Sequence, residues 1–279
     1  MKAAVIGIGL IGGSFALALK DKRIANSVIG IDNNKGHQKK ALELKLVDSI
    51  ADLDNAINNS DVIILATPVD AVIKLLPRVL DIIKNQVVID AGSTKEAIIE
   101  AVKNHPKRGR FVATHPMWGT EFSGPEAAVK DAFVNKATVI CNKEESDKDA
   151  LDVAEELYRK LGMHLVYMGA QEHDVHVAYI SHISHITSFA LANTVLEKER
   201  EEDAIFELAS GGFESTVRLA KSNPETWASI FMQNRENILD VLNEHISQLR
   251  KFKACLEKEN MEYLEELMIN ANKIKRILK

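Results

Sequence analysis

The feature that most constrains the fold is Gly7-Ile8-Gly9-Leu10-Ile11-Gly12. It follows the apolar run Ala3-Ala4-Val5-Ile6 and opens residues 10–20, whose apolar side chains recur at helical spacing. A strand, a glycine turn and a helix in that order form a dinucleotide fingerprint. Gly7 serves the tight turn, Gly9 the close approach of a pyrophosphate and Gly12 the packing of helix on strand. Leu10 and Ile11 then begin a helix whose unpaired N–H groups and positive dipole end favour an anion, and Ser14 offers a hydroxyl nearby.

The pattern recurs along the first half of the chain. Residues 28–31 end in Asp32, residues 62–66 end in Thr67-Pro68, and residues 87–89 end in Asp90-Ala91-Gly92. Each run is short, rich in β-branched residues and followed by a helical stretch, as parallel strands with helical crossovers require. Residues 111–113, 137–141 and 165–167 extend the set, in an order the sequence does not give. The expected fold is α/β, with a Rossmann-type doubly wound sheet over residues 1–170.

Asp32 ends the second predicted strand about 20 residues beyond the glycines, where a carboxylate accepts hydrogen bonds from the adenosine ribose. It would repel a 2′-phosphate, which points to NAD, while Lys35 close by leaves NADP open. Thr67 and Pro68 sit where the crevice at the reversal of strand order should open, and are expected to line the nicotinamide half. A plain strand-ending turn would use the same residues.

From Gln171 onward strand signals stop. Val177, Ile180, Ile183, Ile186 and Leu191 recur at helical spacing, as do Ile230, Ile238, Val241, Leu242 and Ile246. Gly211-Gly212 and Ser222-Asn223-Pro224 separate helices, and residues 256–279 read as an amphipathic terminal helix. Residues 171–279 are therefore expected to form an all-helical substrate-binding domain, its first helix spanning the two domains.

Composition narrows the class. With 35 Lys and Arg against 40 Asp and Glu, the net charge of −5 gives no basic field for nucleic acid. Cys141 and Cys255 are too few for a disulfide framework, which fits a reducing cytoplasm, and no apolar stretch of about 20 residues predicts a membrane span. His173, His176, His182 and His185 invite a metal reading. On one straight helix, however, about 100° per residue turns His173 and His182 to opposite sides, so no metal is expected. His182 and His185 share a face suited to a substrate wall, whereas His173 and His176 read as structural or exposed.

The chemistry is expected in Thr114-His115-Pro116-Met117-Trp118-Gly119-Thr120-Glu121-Phe122-Ser123-Gly124, directly after a predicted buried strand. Such a loop lies at the carboxyl edge of the sheet, where open α/β folds bind ligands, and histidine is the natural base near neutral pH. This loop resembles the prephenate/arogenate dehydrogenase family, as do Gly9-Leu10-Ile11-Gly12-Gly13-Ser14, Asp90-Ala91-Gly92-Ser93-Thr94-Lys95, Ser181-His182-Ile183-Ser184-His185, and Gly211-Gly212-Phe213 with Arg218. The similarity covers nearly the whole chain.

The resemblance implies that His115 accepts the ring-hydroxyl proton while hydride leaves the same carbon for NAD and decarboxylation makes the ring aromatic. It implies that Ser93 hydrogen-bonds near that hydroxyl, that Arg218 pairs with a substrate carboxylate, and that His185 helps hold a dianionic substrate. Gly119, Thr120 and Glu121 would shape or gate the pocket, and the helical domains would associate as a homodimer. Plainer uses exist: a turn for His115, a helix cap for Ser93, a surface ion pair for Arg218. One departure is Ser215 with Glu214 where some members carry an acid three residues before the arginine. Prephenate is the expected substrate. Arogenate, another two-domain β-hydroxyacid-type dehydrogenase and a non-catalytic NAD sensor are the alternatives.

Overall fold

The computed structural model describes residues 1–199 and 208–277. Their elements run β1 (Lys2–Ile6), α1 (Leu10–Asp21), β2 (Ser27–Ile31), α2 (Lys35–Glu43), β3 (Ser49–Ile50), α3 (Leu53–Asn58), β4 (Val62–Leu65), α4 (Val69–Ile82), β5 (Val87–Asp90) and α5 (Glu96–Glu100). They continue with β6 (Phe111–Pro116), β7 (Ala137–Cys141), α6 (Lys148–Lys160), β8 (His164–Met168), α7 (Ala170–Val177), a π-helical turn (Ala178–His182) and α8 (Ile183–Glu199). The last are α9 (Gly211–Val217), α10 (Pro224–Gln233), α11 (Arg235–Glu257) and α12 (Met261–Ala271).

The strands form one sheet in the order β3-β2-β1-β4-β5-β6-β7-β8. β1 pairs in parallel with both β2 and β4, so the strand order reverses there and a crevice opens beyond the strands' carboxyl ends. The short β3 is absent from the strands expected from sequence, because a two-residue edge pairing carries no periodic signal. β4 and β5 are buried at every position, as central parallel strands covered on both faces must be.

Alternate residues feed two core layers. Val5, Phe15, Ile64, Ile89, Phe133 and Tyr158 pack on one face of the sheet, and Ala4, Ile63, Leu65, Leu76, Val88 and Phe111 on the other. β7 departs from the parallel pattern and runs antiparallel to β6. Parallel pairing needs a crossover element, and between Pro116 and Ala137 there is only a 3-10 turn at Pro125–Ala127. That connection is the loop expected to carry the chemistry.

By compactness the chain divides into Met1–Asn234 and Arg235–Lys279. In the second unit, Asn260 caps α12 by accepting from Tyr263 N, and Leu249, Leu256, Met261 and Ile269 are exposed. Among the described residues no helix is long and apolar enough to cross a membrane.

Candidate active site

The three glycines of the first turn have separate duties. Gly7 sits at φ +89°, and a Cβ there would lie 2.6 Å from Ala66 O. At Gly12 a Cβ would fall 1.9 Å from Gly7 O, so helix α1 rests on the turn only because that side chain is missing. Gly9 is different: a Cβ would meet nothing within 4 Å. It borders open space, at the end of a helix whose first-turn N–H groups have no intrahelical acceptor.

Asp32 fastens this turn to the end of β2. One carboxylate oxygen accepts from Ile8 N at 2.9 Å and the other from Asn34 N at 2.8 Å, while Asn34 caps α2. Ser14 is consumed within the protein, donating to Leu10 O at 2.7 Å and accepting from Val129 N at 2.9 Å, so its hydroxyl is spent on packing the helix. Thr67 Oγ1 is buried without a protein partner.

Gly7, Gly9, Leu10, Ile11, Asp32, Thr67 and Pro68 line a crevice of about 2460 Å³ in the Met1–Asn234 unit. Ser93, His115, Gly119, Thr120, Glu121, His185 and Arg218 line the same crevice. Gly12 is buried and is not among the lining residues. Single-ligand pockets are about 300–1,000 Å³, so this space has room for more than one ligand.

His115 emerges from the end of β6 with its Nδ1 2.8 Å from His173 Nε2, and His173 Nδ1 is 2.7 Å from Asp174 Oδ1. Burial, with the neighbouring His173, Lys95 and His182, holds the His115 pKa well below its ordinary 6.5, so the ring is neutral at pH 7. Below it, Lys95 pairs with Asp90, both fully buried, and donates to Thr114 O at 2.8 Å. Thr114 N in turn donates to Asp90 Oδ1 at 3.0 Å. Both backbone polar groups of Thr114, the residue before His115, are thereby held by the Asp90–Lys95 pair.

Ser93 is free of the capping duty that its position before a helix would suggest. Helix α5 starts at Glu96, and the N–H groups of Lys95 and Glu96 are taken at 2.8 and 3.0 Å by the Asp174 carboxylate. At the other wall Arg218 donates to Glu121 at 2.7 Å, across 97 residues of sequence. The Glu121 carboxyl is held below its ordinary value, by its own backbone N–H first and by Arg218 next. His185 stacks on Trp227 with ring centroids 3.3 Å apart and places its Nδ1 3.1 Å from Ser181 O.

Two expectations about the second-half histidines change. The helix is not straight: the π turn at Ala178–His182 alters the rotation between His173 and His185. His182 is 1% exposed and bonded to Asn234 rather than lining the crevice. His173, expected to be structural or exposed, lies against His115. Trp227 and Asp174 join the site without a motif to announce them, the one sequence signal being a carboxylate adjacent to histidine at 173–174.

Comparison with known proteins decides the family. The model described as prephenate dehydrogenase, nucleotide-binding domain, matches residues 15–167, and that described as prephenate dehydrogenase, dimerization domain, matches residues 169–270. The chain belongs to the prephenate dehydrogenase family. Among its relatives, the prephenate dehydrogenase of Bacillus subtilis is 33% identical over 262 residues, covering 92% of this chain and 71% of that one.

Among solved structures, the prephenate dehydrogenase of Aquifex aeolicus in complex with hydroxyphenyl propionate and NAD+ is 28% identical. It aligns with a TM-score of 0.89 over 99% of this chain and 97% of that one. The arogenate dehydrogenase of Synechocystis is 27% identical with a TM-score of 0.77, covering 100% of both chains. Within this dehydrogenase family His115 falls in the nucleotide-binding part, and His173, His185 and Arg218 fall in the dimerization part.

Proposed function

We propose that this protein is an NAD-dependent prephenate dehydrogenase, with residues 1–170 holding the dinucleotide and residues 171–279 completing the substrate pocket and pairing two copies as a homodimer. The observation that carries the reading is the convergence, on one crevice, of a glycine-turn nucleotide site, a neutral histidine and an arginine held by Glu121. The family's division at residues 167–169 supports the two parts, and its dimerization domain supports the pairing.

The chain's residues fit a dinucleotide. Gly9 leaves room for the pyrophosphate at the start of α1, Asp32 retains lone pairs for ribose hydroxyls, and Thr67 has a buried hydroxyl with no protein partner. The Asp32 carboxylate at the end of β2 would repel a 2′-phosphate, which favours NAD over NADP. NAD, when bound, takes up the hydride that leaves the carbinol carbon.

His115 receives the hydroxyl proton from that same carbon, and a neutral imidazole is the form able to do so. Ser93 lines the same crevice, and its hydroxyl, not spent on capping, would hold the substrate hydroxyl. Arg218 grips a substrate carboxylate through its planar fork, in exchange for its contact with Glu121. Loss of the ring carboxylate as carbon dioxide leaves an aromatic phenolate, which takes the proton back from the His115 imidazolium to give 4-hydroxyphenylpyruvate. Glu214 is paired with Lys221 and, like Ser215, does not line the crevice, so no carboxylate at those positions awaits the ammonium of arogenate.

The deciding experiment follows reduced-nicotinamide absorbance with NAD or NADP and prephenate or arogenate in all four combinations. The expected result is turnover with NAD and prephenate, lowered at least ~100-fold in His115→Asn with substrate affinity little changed. Turnover with arogenate alone reassigns the substrate. Silence in all four combinations overturns the proposal.

A further inference from the structure

Behind His115 a hydrogen-bonded line runs inward through His173 to Asp174, and its donors can be assigned by elimination. Both Asp174 oxygens accept backbone N–H groups, from Lys95 and Glu96, and a carboxylate has only acceptors to offer. The proton on the 2.7 Å contact between Asp174 and His173 therefore sits on His173 Nδ1. A neutral imidazole carries one N–H, so His173 Nε2 is an acceptor. The proton on the 2.8 Å contact between the two rings then belongs to His115 Nδ1.

The consequence falls on the far side of the His115 ring. With Nδ1 protonated, the lone pair is on Nε2, which has no hydrogen-bond partner among the described residues, and His115 lines the crevice. We propose that His173 and Asp174 are positioning residues that lock His115 in its Nδ1–H tautomer, so that Nε2 is the proton acceptor, and that share the charge His115 acquires when it takes a proton. This inference rests on the reading of His115 as the base.

Burial makes such a lock effective. His173 and Asp174 are 1% and 2% exposed, so water does not compete for their contacts. The ionisable groups around the line are Lys95 and Asp90 from the strand and loop before α5, and His182 from the π turn. Lys95 and Asp90 are already paired with each other. Asp174 is therefore the one carboxylate in the line to His115, reached through a single ring. Asp174 also supplies the acceptors that begin α5, so its replacement disturbs the fold, and the discriminating variants are at His173.

The tautomer can be read without cofactor or substrate, from the imidazole nitrogens of 15N-histidine-labelled protein by NMR. The expected wild-type signature for His115 is a protonated Nδ1 and a bare Nε2. His173→Leu removes the acceptor. It should move His115 toward the Nε2–H form and lower kcat at least ~10-fold with substrate KM within about 3-fold. His173→Gln puts an amide oxygen where Nε2 was, and should restore both the wild-type tautomer and most of kcat.

A wild-type His115 protonated on Nε2 overturns the proposal, as does a His173→Leu protein with unchanged tautomer and kcat. If His173→Leu fails to fold, the wild-type tautomer and the kcat of His173→Gln decide between the same outcomes. Failure of the base reading is separable. In that case His115→Asn keeps its turnover while the tautomer still responds to His173.

Discussion

Lys95 and Arg218 are both cations paired with a carboxylate, and burial sets them apart. Lys95 and its partner Asp90 are fully covered, so removing the ammonium in Lys95→Met strands a charge in the interior and should cost about 3–5 kcal/mol in urea unfolding. Arg218 is 49% exposed, and such pairs contribute about 0–1 kcal/mol. Arg218→Ala should therefore leave the unfolding midpoint nearly unchanged while raising the substrate KM at least ~10-fold. A normal KM would remove Arg218 from the pocket, and an unaffected Lys95→Met would show that the interior accommodates the lone Asp90. Both residues are visible in the sequence as charges in motifs, but their division into anchor and grip is not.

At the scale of the element, helix α1 meets β1 through glycines whose roles differ although their spacing looks uniform. Gly12→Ala forces a methyl group to within 1.9 Å of a backbone oxygen that cannot step aside, so the junction must open. It should lower stability by at least ~2 kcal/mol and abolish NAD binding together. Gly9→Ala meets no protein atom at a φ of −84° that alanine adopts freely. Its melting temperature should stay near wild type while NAD affinity falls, because the methyl occupies space meant for the pyrophosphate. Thermal melts paired with NAD titrations check this, and equal loss of stability in the two variants would contradict the division of roles. A motif reports that three glycines are present, whereas only the packed turn reports which of them faces open space.

Over the whole molecule, four histidines set in or against the interior make the fold acid-sensitive. Burial lowers the pKa values of His115, His173, His182 and His185, that of His182 to about 4. The unfolded chain binds these protons first, near the ordinary value of 6.5. Stability is therefore full above that pH and falls as the pH drops from about 6.5 toward 4. A tenfold change in proton affinity is worth ~1.4 kcal/mol, so the lowering of His182 from 6.5 to about 4 alone accounts for a loss on the order of 3 kcal/mol across that window. Denaturation midpoints measured between pH 7.5 and 4.5 should decline accordingly, and a flat profile would show that these rings take up protons in the native state as readily as in the unfolded chain.

The sequence by itself determined the α/β sheet with helices after it, the glycine turn, Asp32 after the second strand and the loop bearing His115. All of these are local: periodicity, turn chemistry and motif spacing are written within a few residues of one another. What tertiary structure decided is non-local. It turned β7 antiparallel for want of a crossover helix, and capped α5 with Asp174 from 79 residues away, which freed Ser93. It joined Glu121 to Arg218 and stacked Trp227 on His185. A π turn, invisible to an ideal helical repeat, brings His182 and His185 to positions that a straight helix would not give, while His173 lies behind His115. A residue's partner depends on which elements pack together, and that packing is fixed only when the sheet and its helices bury their apolar faces at once.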